Sequence, residues 1–244
     1  MTDRVEVVRD GELAWVVFDN DARRNAVTGT MLAQGLAALA ELATDASVRS
    51  VVLRGAGEQA FVSGADIATL TESGEDPRLV ALARAIRASP QPVIAALRGW
   101  CLGAGALLAL AADLRVAGDD VQIGVPAARL GVAYPQEGVD RLRSIVGPAT
   151  ASELLLTASP VGAPRALAVG LVNRVVPAAA VFDEARALAG AMAANAPLSL
   201  RAAKLAVAGS PDADAAIRAT FASADFAEGR AAFAERRPPR FEGR

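Results

Sequence analysis

"VIAALRGWCLGAGALLALAADLRVA" (residues 93–117) contains a short apolar run, a glycine turn, a long apolar run and a second short apolar run. We predict strands near residues 93–97 and 114–117, because short apolar runs bounded by turn residues are typical of buried strands. The long run ends at Asp113 and is too short to span a bilayer, so it predicts a buried helix. Strands separated by helices are connected by right-handed crossovers, and the stretch therefore predicts a mostly parallel α/β sheet.

The segments before this stretch predict a hairpin, a helix and a further strand. Two alternating runs, "RVEVV" and "LAWVVFD", flank Asp10-Gly11, a dipeptide that tight β-hairpin turns prefer. Apolar residues then recur at helical spacing after Thr28 and Thr30, which are possible N-caps. The run "SVVL" (residues 50–53) follows as a strand.

The segments after this stretch become mainly helical. Beyond about residue 143 the strand pattern fades, apart from "LVNRVV" (residues 171–176). The tripeptide "NAP" near residue 195 interrupts the helical pattern. We therefore predict a core over residues 1–195 and a helical C-terminal region over residues 196–244.

The amino-acid composition argues against two classes of binding partner. Lys+Arg 25 against Asp+Glu 27 gives a net charge of −2, and the charges are interspersed, so neither nucleic acid nor a membrane is an expected partner. One cysteine, Cys101, cannot form a disulfide within the chain, and no signal-peptide pattern is evident at the start. We expect a globular enzyme of the reducing cytoplasm.

The absence of histidine from the sequence restricts the chemistry. It excludes the usual Ser-His-Asp and Cys-His nucleophilic sites and removes the commonest metal ligand. We expect no metal site. Acid or base catalysis must depend on carboxylates, Tyr134 or lysine, unless backbone dipoles carry the reaction.

Two glycine turns of similar sequence occur in successive units: the first turn, "SGAD" (Ser63–Asp66), and the second turn, "LGAGALL" (residues 102–108). Taken singly, each is more simply an ordinary turn, with Asp66 as an N-cap in the first and close helix–sheet packing in the second. The full dinucleotide-binding pattern is missing. Together, however, their backbone N–H groups could converge on one oxygen as an oxyanion hole, which needs no titratable side chain.

Over essentially its whole length the chain resembles the crotonase superfamily, the enoyl-CoA hydratase/isomerase group. The matching stretches are "RRNAVTGTML" (23–32), "GEQAFVSGADI" (57–67), residues 93–117, "TASPVGAPRALAVGLVNRVV" (157–176) and "EGRAAFAERRPPRF" (228–241). The resemblance implies a ββα spiral core, a helical C-terminal region that mediates trimerisation, and a homotrimer or hexamer. It also implies that the amides of Ala65 and Ala104 hold the thioester oxygen of an acyl-CoA substrate.

The same resemblance implies a set of substrate-binding residues. The segment that includes Arg23, Arg24 and Ala26 matches a CoA-contacting loop, and Ile67 and Gly103 accompany the two turns. Arg236 and Phe241 match a tail that often reaches the CoA of a neighbouring subunit, although a solvated basic helix end explains them equally well. No cofactor is expected, because coenzyme A enters as part of the thioester.

Two catalytic carboxylates of the family's hydratases have no counterpart in this chain. The aligned positions hold Leu107 and Ala127, and neither side chain can exchange a proton. Losing one general acid–base group typically costs about 10²–10⁴-fold in rate. The usual hydration mechanism is therefore not expected.

Tyr134, in "LGVAY", suggests an alternative reaction. The bacterial methylmalonyl-CoA decarboxylases resemble this chain in carrying a tyrosine at this point of the loop, which implies that Tyr134 binds the departing carboxylate. Decarboxylation leaves a thioester enolate and requires an oxyanion hole but no base. One difference is Ala65, where those enzymes carry histidine. The simpler alternative is a tyrosine at the edge of the core with its hydroxyl in water.

Decarboxylation of a methylmalonyl-CoA-like ester is the leading hypothesis, and two others remain. Glu137 could act as the single acid/base of an enoyl-CoA hydratase or isomerase, as could Asp140 if the loop folds inward. Glu137 is also a normal residue for the first turn of a helix, where negative charge is favoured. The third hypothesis is a non-catalytic acyl-CoA-binding protein with this fold.

Overall fold

The computed structural model describes residues 3–66 and 76–244. The predicted binding residue Ile67, and the helix predicted to follow Asp66, lie outside the described residues. No helix in the described part of the chain is long and apolar enough to cross a membrane.

The described residues form strands and helices in alternation. The strands are β1 (Arg4–Asp10), β2 (Leu13–Asp19), β3 (Ser50–Gly55), β4 (Ala60–Val62), β5 (Val93–Leu97), β6 (Trp100–Leu102), β7 (Leu114–Gly118), β8 (Gln122–Gly124), β9 (Val161–Gly162) and β10 (Arg174–Val176). The helices are α1 (Gly29–Thr44), α2 (Pro77–Ala88), α3 (Ala104–Ala111), α4 (Gln136–Thr157), α5 (Ala163–Ala168), α6 (Val181–Ala193), α7 (Pro197–Val207), α8 (Ala213–Thr220) and α9 (Ala224–Glu235).

The N-terminal hairpin and the cap of α1 are confirmed. Asp10 pairs with Leu13, so the loop residues are Gly11 and Glu12, one position later than the Asp10-Gly11 dipeptide. Gly11 has φ 61°, a backbone conformation that glycine adopts without steric cost. The Thr28 side chain accepts a hydrogen bond from the Met31 amide and begins α1.

Each repeating unit contributes one strand to each of two sheets. The larger sheet has the order β1-β2-β3-β5-β7-β10 and is parallel except for the hairpin; the smaller has the order β4-β6-β8-β9. The pairs β3/β4, β5/β6 and β7/β8 are split between the two sheets, and α2, α3 and α4 follow them. This ββα repeat confirms the α/β spiral core and the mostly parallel sheet.

Helix α3 lies at the centre of the core. All of its residues are buried, as the uninterrupted apolar sequence predicts. It follows directly from β6, which runs parallel to β4 in the smaller sheet. Because the carboxyl ends of adjacent parallel strands meet at one edge of a sheet, the segments that leave β4 and β6 are neighbours.

The C-terminal region is helical, as the resemblance implies, and begins with α7. Asn195 lies in the connection between α6 and α7, at the predicted boundary. The separation of residues 196–244 as a unit of their own stays a prediction. The Lys204 ammonium in α7 lies 2.8 Å from the Asp113 carboxylate and donates to the Gln91 carbonyl at 3.0 Å, which ties α7 to the core. Burial lowers the pKa of Lys204 from its usual range.

Candidate active site

The two glycine turns lie side by side. In addition to the pairing of β4 with β6, the Gly105 backbone packs closely on β4. A Cβ on Gly105 would lie 2.0 Å from the Val62 carbonyl oxygen. A Cβ on Gly64 would lie 4.0 Å from the Leu102 carbonyl oxygen. The start of α3 is therefore seated against the end of β4, and only glycine at position 105 permits this approach.

The first turn is held by backbone pairing. The Val27 amide donates to the Gly64 carbonyl at 2.9 Å, and the Asp66 amide donates to the Val27 carbonyl at 2.8 Å. These bonds form an isolated parallel bridge between Val27 and Ala65. In such a bridge the N–H of the middle residue points to the opposite edge of the strand. The Ala65 amide is therefore directed away from Val27, towards the side on which β6 runs.

The second turn is held by the start of α3. The Gly103 amide donates to the Gly124 carbonyl, and the Gly103 carbonyl accepts the first helical hydrogen bond from the Leu107 amide, both at 3.0 Å. Gly103 has φ 51° and ψ −109°, a conformation that other residues avoid. The first amides of a helix have no acceptor within it, so the Ala104 N–H is directed outward from the helix start. Ala65 and Ala104 thus occupy neighbouring turns, and their joint action on one oxygen is still a prediction.

Tyr134 lies against the second turn. Its hydroxyl donates a hydrogen bond to the Gly103 carbonyl at 3.2 Å. Its ring fills the space beside Gly138, where a Cβ would lie 2.5 Å from the tyrosine Cε1 and 3.0 Å from the Leu107 Cδ1. The ring therefore lies at the edge of the core, as the simpler alternative predicts, but its hydroxyl is bonded to a backbone carbonyl. Contact of Tyr134 with a substrate carboxylate stays a prediction.

The two positions aligned with the hydratase glutamates hold apolar side chains, and both side chains pack in or against the hydrophobic core. Leu107 is 2% exposed within α3 and touches the space next to the Tyr134 ring. Ala127 lies in the 3₁₀ helix Pro126–Leu130 and packs partly buried against the core. Neither position can supply or accept a proton.

The single cysteine lies close to the second turn, but its thiol is unreactive. Cys101 lies in β6 and is fully buried. Burial raises the pKa of this thiol far above its usual range, so the nucleophilic thiolate does not form near neutral pH. Cysteine chemistry is therefore not available to this site.

Glu137 lies in the first turn of α4, as the helix-start interpretation predicts. Its carboxylate is 2.6 Å from the Arg84 Nε and 3.8 Å from an Arg87 nitrogen, and both arginines belong to α2. To act as an acid or base, the Glu137 carboxylate must leave these arginines and contact the substrate. Asp140 accepts a hydrogen bond from Gln136 on the exposed side of α4 and does not fold inward.

The predicted CoA-contacting loop borders a cleft of about 560 Å³. Arg23 and Arg24 line it together with Ser63, Trp100 and Leu102. The sequence interpretation included the two arginines and missed Trp100. The Arg23 guanidinium also forms an ion pair with Asp66, which joins this loop to the first turn.

Asn25 positions that loop and was also missed as a functional residue. Its side chain is fully buried, its amide donates to the Ala56 and Ala60 carbonyls at 2.9 Å, and its oxygen accepts from the Asn20 amide at 3.0 Å. The following residue, Ala26, is half-buried, and its carbonyl accepts from the Asn20 side chain. A polar asparagine inside "RRNAV" was the available signal.

Arg236 and Phe241 do not join this cleft within one chain. Arg236 is the exposed residue that ends α9, with φ 54°. The Phe241 ring lies near Gly229 of α9, and its carbonyl accepts from the Arg49 guanidinium at 3.1 Å. Their predicted contact with CoA would require the cleft of a neighbouring subunit and stays a prediction.

Comparison with known proteins agrees with this arrangement. The sequence profile described as "Enoyl-CoA hydratase/isomerase" matches residues 9–244. The chain is 32% identical to the short-chain-enoyl-CoA hydratase of Clostridium acetobutylicum over 93% of this chain and 89% of that protein. It is 34% identical to the 2,3-dehydroadipyl-CoA hydratase of Escherichia coli over 98% of both chains. The crystal structure of an enoyl-CoA hydratase from Bacillus anthracis superposes with a TM-score of 0.92 at 28% identity, covering 98% of this chain and 99% of that one.

Proposed function

Because this chain belongs to the enoyl-CoA hydratase/isomerase family, we propose that it converts an acyl-CoA thioester through an enolate held by the Ala65 and Ala104 amides. The observation that supports the proposal most directly is the direction of these amides. One points away from its own strand pairing, and the other opens a buried helix in the adjacent turn. Preorganised amides of this kind stabilise the negative charge that develops on a thioester oxygen.

A hydratase or isomerase reaction is the best-supported form of this chemistry. The two relatives named above are hydratases of enoyl-CoA thioesters, and Glu137 is the candidate acid/base. A double-bond shift needs only one group to carry a proton between carbons, whereas hydration with two carboxylates is prevented at Leu107 and Ala127. We therefore propose isomerisation of an enoyl-CoA with Glu137 as the proton carrier, released from Arg84 when substrate binds.

Decarboxylation of a methylmalonyl-CoA-like ester remains a second candidate. It is favoured by the apolar side chains at positions 107 and 127 and by Tyr134 beside the second turn. Loss of CO₂ produces the same enolate without removal of a C–H proton. None of the relatives compared above is a decarboxylase, so this reaction ranks below isomerisation.

We propose that coenzyme A enters along the cleft bordered by Arg23 and Arg24, with Ala26 in the same loop. No further cofactor is required by this chemistry. A homotrimer or hexamer is supported by exposed aromatic side chains in the C-terminal region, among them Phe221 at 66% exposure, just after α8, and Phe233 of α9 at 89%. Such large apolar surfaces usually mark contacts between proteins.

Four thioesters separate the candidate reactions. Purified protein is incubated with but-3-enoyl-CoA, crotonyl-CoA, methylmalonyl-CoA and malonyl-CoA, while absorbance of the conjugated double bond and release of CO₂ are followed. We expect but-3-enoyl-CoA to be converted and Glu137→Gln to abolish the conversion. The matched control, Asp140→Asn, removes an exposed carboxylate of the same helix and should leave the rate unchanged. Release of CO₂ that is insensitive to Glu137→Gln would establish decarboxylation instead. Tight binding of all four esters without any turnover would contradict an enzymatic role.

A further inference from the structure

The Tyr134 hydroxyl acts on the same peptide unit that carries the Ala104 amide. The Gly103 carbonyl and the Ala104 N–H belong to one peptide bond. That carbonyl accepts two hydrogen bonds, from the Leu107 amide at 3.0 Å and from the Tyr134 hydroxyl at 3.2 Å. The two donors approach from different elements, namely helix α3 and the loop before α4.

A peptide unit is planar, so fixing its oxygen also fixes the direction of its N–H. Gly103 has no side chain to restrict rotation of this plane, and its dihedral angles are of a kind that only glycine adopts readily. A hydrogen bond to a carbonyl oxygen also polarises the amide and makes its N–H a stronger donor, by about 10–30% per bond. The tyrosine therefore affects both the aim and the strength of the Ala104 donor.

We propose that Tyr134 is a positioning residue for the oxyanion hole: its hydroxyl anchors the Gly103–Ala104 peptide so that the Ala104 amide points at the substrate oxygen. The inference rests on the proposed function, and it differs from a contact between Tyr134 and a substrate carboxylate. A carboxylate contact would matter only for substrates that carry one. Anchoring of the peptide matters for every thioester that the site binds.

The packing around the ring makes this anchor rigid. The Tyr134 ring and the Leu107 side chain both lie against the helical residue Gly138, where any side chain would clash with them. Leu107 is itself part of α3, so the ring and the anchored peptide rest on the same helix. Close packing on this side of the ring restricts movement of the hydroxyl away from Gly103.

Selective labelling observes both candidate amides at once. Protein made with ¹³C-carbonyl glycine and ¹⁵N alanine gives correlation signals only for Gly–Ala pairs, which occur at 55–56, 64–65, 103–104, 105–106, 162–163 and 190–191. Without ligand, Tyr134→Phe should shift the 103–104 signal and leave the 64–65 signal in place, while the ring packing is kept. The matched control, Ser144→Ala, removes a hydroxyl that donates to the Arg141 carbonyl in α4 and should shift neither signal.

Butanoyl-CoA, which has neither a double bond nor a second carboxylate, is then added to saturation. In the unaltered protein it should shift both the 64–65 and the 103–104 signals, and the infrared stretch of its ¹³C-labelled thioester carbonyl should fall in frequency. In Tyr134→Phe the ligand should still bind, with a smaller fall. An unchanged 103–104 signal and an unchanged carbonyl frequency in this variant would overturn the positioning role.

Failure of the proposed function gives a different result in the same experiment. If bound butanoyl-CoA shifts neither signal in the unaltered protein, the two amides do not form an oxyanion hole at all. With the thioester that the enzyme converts, Tyr134→Phe should lower kcat roughly 10-fold with little change in KM, since removal of a whole oxyanion donor costs about 10²–10³-fold. A loss confined to β-carboxylated substrates would instead assign Tyr134 to the carboxylate.

Discussion

The first and second glycine turns share the dipeptide Gly–Ala, yet different parts of the molecule hold them. The first turn is one strand of a small backbone ladder with Val27, whose main-chain hydrogen bonds direct the Ala65 amide, and the Arg23–Asp66 ion pair adds a side-chain link to the same loop. The second turn also has backbone hydrogen bonds, but in addition its Gly103 carbonyl accepts a hydrogen bond from Tyr134, a side chain 31 residues later in the sequence. Two equivalent donors can therefore be positioned by local pairing or by a remote side chain.

This difference predicts which substitutions each turn tolerates. Backbone pairing survives most changes of side chain, so the first turn should respond mainly to changes in the loop that supplies Val27. The second turn should respond to changes around the Tyr134 ring, far away in sequence. Gly105 of the second turn packs on Val62, the β4 residue that precedes the first turn, so one substitution there should affect both turns.

The largest effect is expected from Gly105→Ala. The added methyl would lie 2.0 Å from the Val62 carbonyl oxygen, so the start of α3 must move away from β4 and the two amides lose their common target. We expect kcat/KM to fall by about 10²-fold or more and the free energy of unfolding to fall by about 1–3 kcal/mol. Steady-state kinetics and denaturant titration measure the two quantities.

The control for this substitution is Gly190→Ala in α6, a helical glycine with open space around it. It should raise the free energy of unfolding by up to about 1 kcal/mol, because alanine favours helix, and leave kcat/KM unchanged. Retention of full activity in Gly105→Ala would show that contact between the turns does not matter.

A smaller effect on catalysis, acting mainly on the first turn but with a comparable loss of stability, is expected from Asn25→Ala. The change removes the Asn25 donor from the buried Ala60 carbonyl and the partly buried Ala56 carbonyl, and it places alanine at φ 58°. We expect the free energy of unfolding to fall by about 2–3 kcal/mol. In the Gly–Ala spectrum the 64–65 signal should shift more than the 103–104 signal.

Asn25→Gly separates the two causes, because glycine accepts the positive φ but supplies no hydrogen bond. If its loss of stability is as small as that of an ordinary surface change, within about 0.5 kcal/mol, the side-chain hydrogen bonds are not what holds this loop.

The smallest effect is expected from Gly138→Ala, and it should be confined to the second turn. Alanine favours helix over glycine by up to about 1 kcal/mol, which offsets part of the cost of the clash with the Tyr134 ring. Displacement of that ring should move the hydroxyl from Gly103 and lower kcat by roughly 3- to 10-fold, a fraction of the cost of a whole oxyanion donor. The 103–104 signal should shift, whereas the 64–65 signal should not. Equal shifts in both signals would mean that the turns are not held independently.

Much of the architecture could be predicted from local sequence patterns. The strands at Val93–Leu97 and near Leu114, the buried helix between them and the N-terminal hairpin follow from runs of apolar residues and turn dipeptides. The hairpin loop was misplaced by one residue, because the dipeptide Asp10-Gly11 does not reveal whether aspartate ends the strand or enters the turn. Such patterns report on the secondary structure of a segment and much less on its partners.

Some features of the candidate site could likewise be predicted from the sequence, and others could not. The sequence alone shows the Gly–Ala dipeptides and the apolar residues Leu107 and Ala127. These features can be identified without knowing which residues are in contact in the fold. The contacts of Tyr134, Glu137 and Asn25 could not be predicted in this way. Each of these residues contacts an element many residues away in the sequence, and no local pattern indicates such a contact. For Tyr134 the sequence suggested a contact with substrate, which stays a prediction, and it gave no sign of the backbone carbonyl that the fold places opposite its hydroxyl.

The sequence by itself therefore determined the α/β class, the order of the elements and the family resemblance, and it suggested the use of backbone donors, because composition and periodicity are local properties. Only the tertiary structure decided which way the Ala65 amide points, what anchors the Ala104 amide, and that the Glu137 carboxylate rests on α2. These depend on which elements pack together, and packing brings into contact residues whose separation along the chain carries no signal of its own.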